Sequence, residues 1–134
     1  MKQSPELGEL IAGYFESFTV GNPDWVDRHV LNSAELRLIG TSSDEWLDGE
    51  QAFSVFRHEA ATASGTLRAE VSNVEAYSDG GVGWGAALVR FTIPSGQTAR
   101  SRFSVVFILH DGTWKVASAH NSIAVIDEDA FTGD

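Results

Sequence analysis

The side chain best suited to chemistry is His120, because imidazole titrates near neutral pH and serves there as acid or base. Its neighbours follow from two turn signals. Ser95-Gly96 and Asp111-Gly112 each separate β-rich runs, and a two-residue turn at each fixes the pairing. Leu109 then opposes Trp114, Phe107 opposes Val116, Phe103 opposes His120 and Ser101 opposes Ser122. The first hairpin sets Trp84 beside Phe107, Ala86 beside Val105, Leu88 beside Phe103 and Arg90 beside Ser101. Opposed residues share a face. The expectation is an apolar wall of Trp84, Leu88, Phe103, Val105 and Phe107 that ends in Ser118, His120, Ser122 and Arg90. An arginine there would bind a carboxylate or steady an enolate.

Three aromatic side chains bear on this cluster. Tyr14 lies on a helical stretch from which its hydroxyl reaches a pocket, and Trp84 and Trp46 offer flat surfaces for a planar ligand. Each candidate also has a plain structural reading. His120 is then a buried imidazole satisfied by a serine or a carbonyl, with Arg90 at a wet rim. Tyr14 and the tryptophans are then core, and Asp48 is a helix cap. His29, His58 and His110 are scattered, and no spacing joins them to an acid, so no metal site is expected. There is no phosphate-cradling glycine loop, dinucleotide fingerprint or nucleophile elbow, and no cofactor is expected.

The elements that must position these groups are legible in order. Ser4-Pro5 opens a helix whose Leu7, Leu10, Ile11, Tyr14, Phe15 and Phe18 recur at helical spacing. Asn22-Pro23-Asp24 opens a short second helix through Val30. Glu35 to Thr41 reads as a strand, and Asp48 with Gln51 starts a third helix that ends near Ser64-Gly65. Leu67 to Tyr77 is the next strand. Its turn at Asp79-Gly80-Gly81 holds two residues or three, which leaves its facing open. Three long strands follow, to Val125. Helices gathered early and strands late predict an α+β fold, with three N-terminal helices on the concave face of a curved, mostly antiparallel sheet. The other face is predicted to carry Ala87, Val89, Arg102, Ser104, Val106, Ala117, Ala119 and Asn121. That face is too apolar for solvent, and a self-complementary contact across it predicts a homodimer.

Composition sets the bounds. The 134 residues make one domain, 1–134, with a polar tail at 127–134. Nineteen acids against nine bases give a formal charge of -10, which argues against a nucleic-acid partner. The absence of cysteine removes disulfide and thiolate chemistry. The opening MKQSPELGEL lacks the apolar core of a signal peptide, and no run approaches a membrane span, so a cytoplasmic protein with no membrane partner is expected.

The layout resembles the nuclear transport factor 2-like superfamily of cone-shaped, cystatin-like α+β barrels, and within it the SnoaL-like family. The resemblance runs from about Leu7 to Val125. It is carried by Leu38-Ile39-Gly40-Thr41, Asp44-Glu45-Trp46, Asp48-Gly49 and Gly81-Val82-Gly83-Trp84, then by Arg102 to Phe107, Asp111 to Val116 and His120-Asn121-Ser122. It implies a homodimer with one pocket per subunit on the concave face. Isomerases of this kind pair a carboxylate base with a tyrosine and a protonated acid, and Tyr14 matches that tyrosine. Positions 103 and 105 are Phe and Val, however, and supply no acid. Cyclases of the SnoaL kind carry an aspartate base on the last strand, where this chain has His120. Three readings follow. The first is a binder of a small apolar or carbonyl ligand. The second is a cofactor-free cyclase, isomerase or dehydratase using His120 with Arg90 or Tyr14. The third is an interaction module with a self-filled pocket.

Overall fold

In the computed structural model, which describes residues 1–131, the chain begins with β1 (Lys2–Gln3) and α1 (Pro5–Glu16). Ser4 caps α1, its Oγ accepting from the Leu7 N–H at 3.2 Å, and Pro5 takes the first helical position. Leu7, Ile11, Tyr14 and Phe15 fall on one stripe and are buried. A π-helical turn, Ser17–Gly21, leads to α2 (Pro23–His29), capped by Asn22. A short hairpin follows, β2 (Arg37–Ile39) with β3 (Trp46–Asp48), and then α3 (Gly49–Thr62). The long meander is β4 (Arg68–Asp79), β5 (Val82–Thr92), β6 (Thr98–His110) and β7 (Thr113–Ile123), with one helical turn, α4 (Asp127–Ala130), at its end.

These strands form one open sheet in the order β1-β4-β5-β6-β7-β2-β3, antiparallel except where β2 joins β7. The expected α+β architecture with helices on the concave face is observed. Two short strands, β1 and β3, were not anticipated, and Trp46 lies on the edge strand β3 rather than at a pocket. It is 67% exposed, with the Arg37 guanidinium 5.0 Å from its ring centre. No described helix is long and apolar enough to cross a membrane.

The registers decide which side chains face the helices. At Asp111-Gly112 both residues have positive φ and the turn holds two residues, so Leu109 opposes Trp114 and Phe107 opposes Val116 as expected. The other hairpin differs. Ile93 donates to the Gln97 carbonyl across three residues, Pro94-Ser95-Gly96, with Gly96 at φ 90°. The pairing therefore slips by one: Gly83 opposes Phe107, Ala87 opposes Phe103 and Arg90 opposes Arg100. A one-residue slip turns a whole strand over. Trp84, Leu88 and Arg90 thus lie on the outer face, while Ala87 and Val89 are buried on the inner one.

A second irregularity acts on β7. The ladder skips Ala117 between the Phe107–Val116 and Val106–Ser118 pairs, a β-bulge. Beyond it Ser104 opposes His120 and Phe103 opposes Asn121, so Ser118, His120 and Ser122 turn outward and Ala119 and Asn121 inward. Of the residues expected on the outer face, Arg102, Ser104 and Val106 are there. Ala87, Val89, Ala119 and Asn121 are not, and Ala117 is the bulged residue.

The core lies between this corrected inner face and the helices, with Phe15, Phe103, Phe107, Leu36 and Val116 all buried. Gly83 and Gly85 let α1 approach β5, under Leu7 and Ile11 respectively. A Cβ at residue 85 would stand 2.6 Å from Ile11 Cδ1 and 3.0 Å from the Glu75 carbonyl oxygen. Gly85→Val is therefore expected to cost about 1–3 kcal/mol through overpacking. The check is a urea midpoint lowered at unchanged slope.

Candidate functional site

A cavity of about 330 Å³ opens between the end of α1, α3, the β2–β3 hairpin and the far ends of β5 to β7. Its walls are mostly apolar, from Phe18, Leu38, Phe56, Phe91 and Ile123. Its polar lining side chains are Tyr14, Asn121, Glu45 and Glu59, with the hydroxyls of Ser17 and Thr41, the former donating to the Tyr14 carbonyl.

Tyr14 comes from the buried stripe of α1. Its ring sits 4.8 Å from that of Phe103 and 5.7 Å from that of Phe56. Its hydroxyl makes no hydrogen bond to a described residue, yet no described buried side-chain polar atom lacks a partner. The hydroxyl therefore reaches open cavity space. Burial, with the Glu59 and Glu45 charges behind it, pushes its pKa far above the ordinary tyrosine value. It remains a protonated donor throughout the physiological range.

Asn121 reaches the cavity because the bulge turned it inward. Its Oδ1 accepts from the buried Ser101 Oγ at 3.0 Å, which leaves its NH2 as the group free to donate. Glu45 is steadied by the Ser42 N–H, which donates to its Oε1 at 3.1 Å, and its side chain lies over Gly40, where a Cβ would collide with it. Glu59 stands beside the buried stripe of α3, three residues after Phe56. Although much of the residue is exposed, its carboxyl is held above the ordinary value, first by loss of water and then by the nearby Glu45 charge.

The sequence-predicted candidates divide accordingly. Tyr14 is in the site. Phe103, Val105 and Phe107 are buried on the inner face, Phe103 directly under Tyr14. His120 is exposed beside Ser104 and Ile39, and Arg90, Trp84, Leu88, Ser118 and Ser122 share its outer face, so none of these meets Tyr14. Glu45, Glu59 and Asn121 were missed. For Glu59 the signal was a carboxylate bordering the Phe56–Ala60 stripe; for Asn121 there was none without the bulge. Among the described residues no group of three or more histidines and acids could hold a metal ion.

A sequence-family model described as a SnoaL-like domain matches residues 8–126. No curated protein matches the chain in sequence. Among solved structures, a nuclear transport factor 2-like superfamily protein from Salmonella enterica is similar at TM-score 0.73 and 18% identity, covering 96% of this chain and 94% of that one. A protein from Streptomyces avermitilis, assigned as a candidate dehydratase of the nuclear transport factor 2-like family, aligns at TM-score 0.74 and 13% identity, over 90% of this chain and 94% of that one. A protein with a cystatin-like fold from Caulobacter vibrioides aligns at 0.67 and 17%, over 92% and 91%. At these identities the likeness is one of fold.

Proposed function

The chain belongs to the SnoaL-like domain family through residues 8–126, and we propose that it binds a small, mostly apolar molecule in the cavity at Tyr14. The observation that carries this reading is the Tyr14 hydroxyl, a donor on a buried ring that opens on the cavity and has no described protein partner. Such a donor suits a carbonyl or hydroxyl oxygen. Charge narrows the class further. Two carboxylates line the space and, among the described lining residues, no cation offsets them. Anionic ligands are disfavoured, and neutral or cationic ones are accepted.

Three naphthalenes of similar size test this by fluorescence titration. At neutral pH, 2-naphthol and 2-(aminomethyl)naphthalene are expected to bind and 2-naphthoate to be rejected. Tyr14→Phe is expected to weaken 2-naphthol roughly five- to tenfold, the loss of one hydrogen bond of about 1 kcal/mol. Equal affinity for 2-naphthol in both proteins would remove the assignment of Tyr14.

A second reading, proton-transfer catalysis, is favoured by Glu59. A carboxyl lifted by burial beside a second carboxylate, with a hydroxyl donor across the cavity, has the parts for moving a proton next to a carbonyl. This replaces the role expected of His120 and Arg90. The structural neighbour assigned as a candidate dehydratase is of the same fold. Deuterium uptake into 2-tetralone, followed by NMR, tests it: no acceleration over buffer, or one unchanged in Glu59→Gln, defeats the catalytic reading and leaves binding intact.

We also infer a homodimer through the outer face, now centred on Trp84, Leu88 and Val106, three exposed apolar side chains on adjoining strands. A monomer at high micromolar concentration in sedimentation would overturn it.

A further inference from the structure

Beyond its apolar middle, the outer face has a basic end. Arg68, Arg90, Arg100 and Arg102 are four of the nine bases in a chain of net charge -10, and the registers put all four on this face. Arg90 opposes Arg100 directly, and Arg102 opposes Leu88 two pairs along, the next pair on this face. Three of them line an open groove of about 600 Å³ whose apolar lining includes Val71, Leu88 and Ala124. Glu70, opposite Arg90, is the one acid among the described lining residues. No ion pair forms at any of the four among the described residues. Like charges set opposite each other weaken a sheet. An arrangement that concentrates them beside a groove calls for an external counter-charge.

The chain carries one nearby. It leaves β7 at Ile123, passes Ala124 in the groove wall, and then presents Asp127, Glu128 and Asp129 in α4. Val125, Ile126 and Phe131 flank these acids and are exposed, Phe131 by 83%. The segment is thus acidic and apolar where the groove is basic and apolar. Within its own chain none of its acids pairs with an arginine.

We propose that the 125–131 segment of each copy docks in the arginine groove of a second copy, so that two identical acid–arginine contacts close the dimer. This rests on the homodimer reading above. An isologous pair makes every such contact twice.

Two charge-reversed proteins test it by sedimentation and by fluorescence energy transfer between labelled copies. The first carries Arg100→Glu and Arg102→Glu; the second carries Asp127→Lys and Asp129→Lys. Alone, each is expected to dimerise at least about tenfold more weakly than the parent, because groove and segment then repel. Mixed together they are expected to form heterodimers at near-parental affinity, since both contacts in the mixed pair regain opposite charges. Retained 2-naphthol binding in each variant shows that it is folded. If each variant dimerises like the parent, docking is refuted and the dimer stands. If both weaken but the mixture does not recover, the contact is not made between copies and the proposal fails. If the parent itself is monomeric, the homodimer reading falls with it.

Discussion

Phe103→Ala is expected to cost about 3–5 kcal/mol, the range for removing a large aromatic side chain from a close-packed core. The ring is buried on the inner face of β6, 4.8 Å from both Tyr14 and Phe15. Its loss would open a void under α1, which carries Tyr14. Domains of this size have total stabilities of roughly 5–15 kcal/mol, so a large share disappears with one side chain. The effect should appear in two readouts. The urea midpoint falls, and 2-naphthol affinity drops by more than Tyr14→Phe alone produces, because one of the rings packed closest to Tyr14 is gone. A midpoint within about 1 kcal/mol of the parent would mean that the site collapses freely around the deletion. That outcome would contradict close packing of Phe103 beneath Tyr14 and Phe15.

Phe103 also marks the boundary between what the sequence made legible and what it did not. The helix starts were readable because Ser4-Pro5 and Asn22-Pro23 each place a side-chain oxygen and a proline where the first turn needs them. The inner face of β6 was readable because Phe103, Val105 and Phe107 alternate and the Asp111-Gly112 turn is a true two-residue turn. The strands on either side failed for different reasons. For β5, Ser95-Gly96 resembled a complete turn, but Pro94 belongs to the loop and Gly96 takes its left-handed position. A clue was available: with the slip, Gly83 and Gly85 fall beneath α1, where small residues are needed, and Trp84 does not. For β7 no clue existed. A bulge at Ala117 depends on how the whole ladder twists, and no glycine or proline announces it. That single extra residue exchanges His120 for Asn121 in the cavity, and so changes which chemistry the site can support.

The charge preference of the cavity follows from the two missed carboxylates. Replacing both, as Glu45→Gln with Glu59→Gln, is expected to raise the affinity for 2-naphthoate relative to 2-naphthol on the order of a hundredfold, about 1.4 kcal/mol for each charge removed. The amides keep the shape and hydrogen-bonding capacity of the walls, so 2-naphthol itself should change little. An unchanged ratio would show that anions are excluded by shape, and the charge argument would fall. Glu59 adds a dependence on pH whose sign is fixed. Its carboxyl is held above the ordinary 4.5 in the folded chain, so above that pH the folded state keeps a proton that the unfolded state has released. Folding is therefore favoured at low pH within this window, and this contribution is lost as pH rises through the folded value. Urea midpoints at about pH 5 and about pH 8 should differ less in Glu59→Gln than in the parent, because glutamine binds no proton in either state. The group thus has two roles. Its proton sets the slope of stability against pH, and its charge, once the proton has left, decides which ligands the cavity admits.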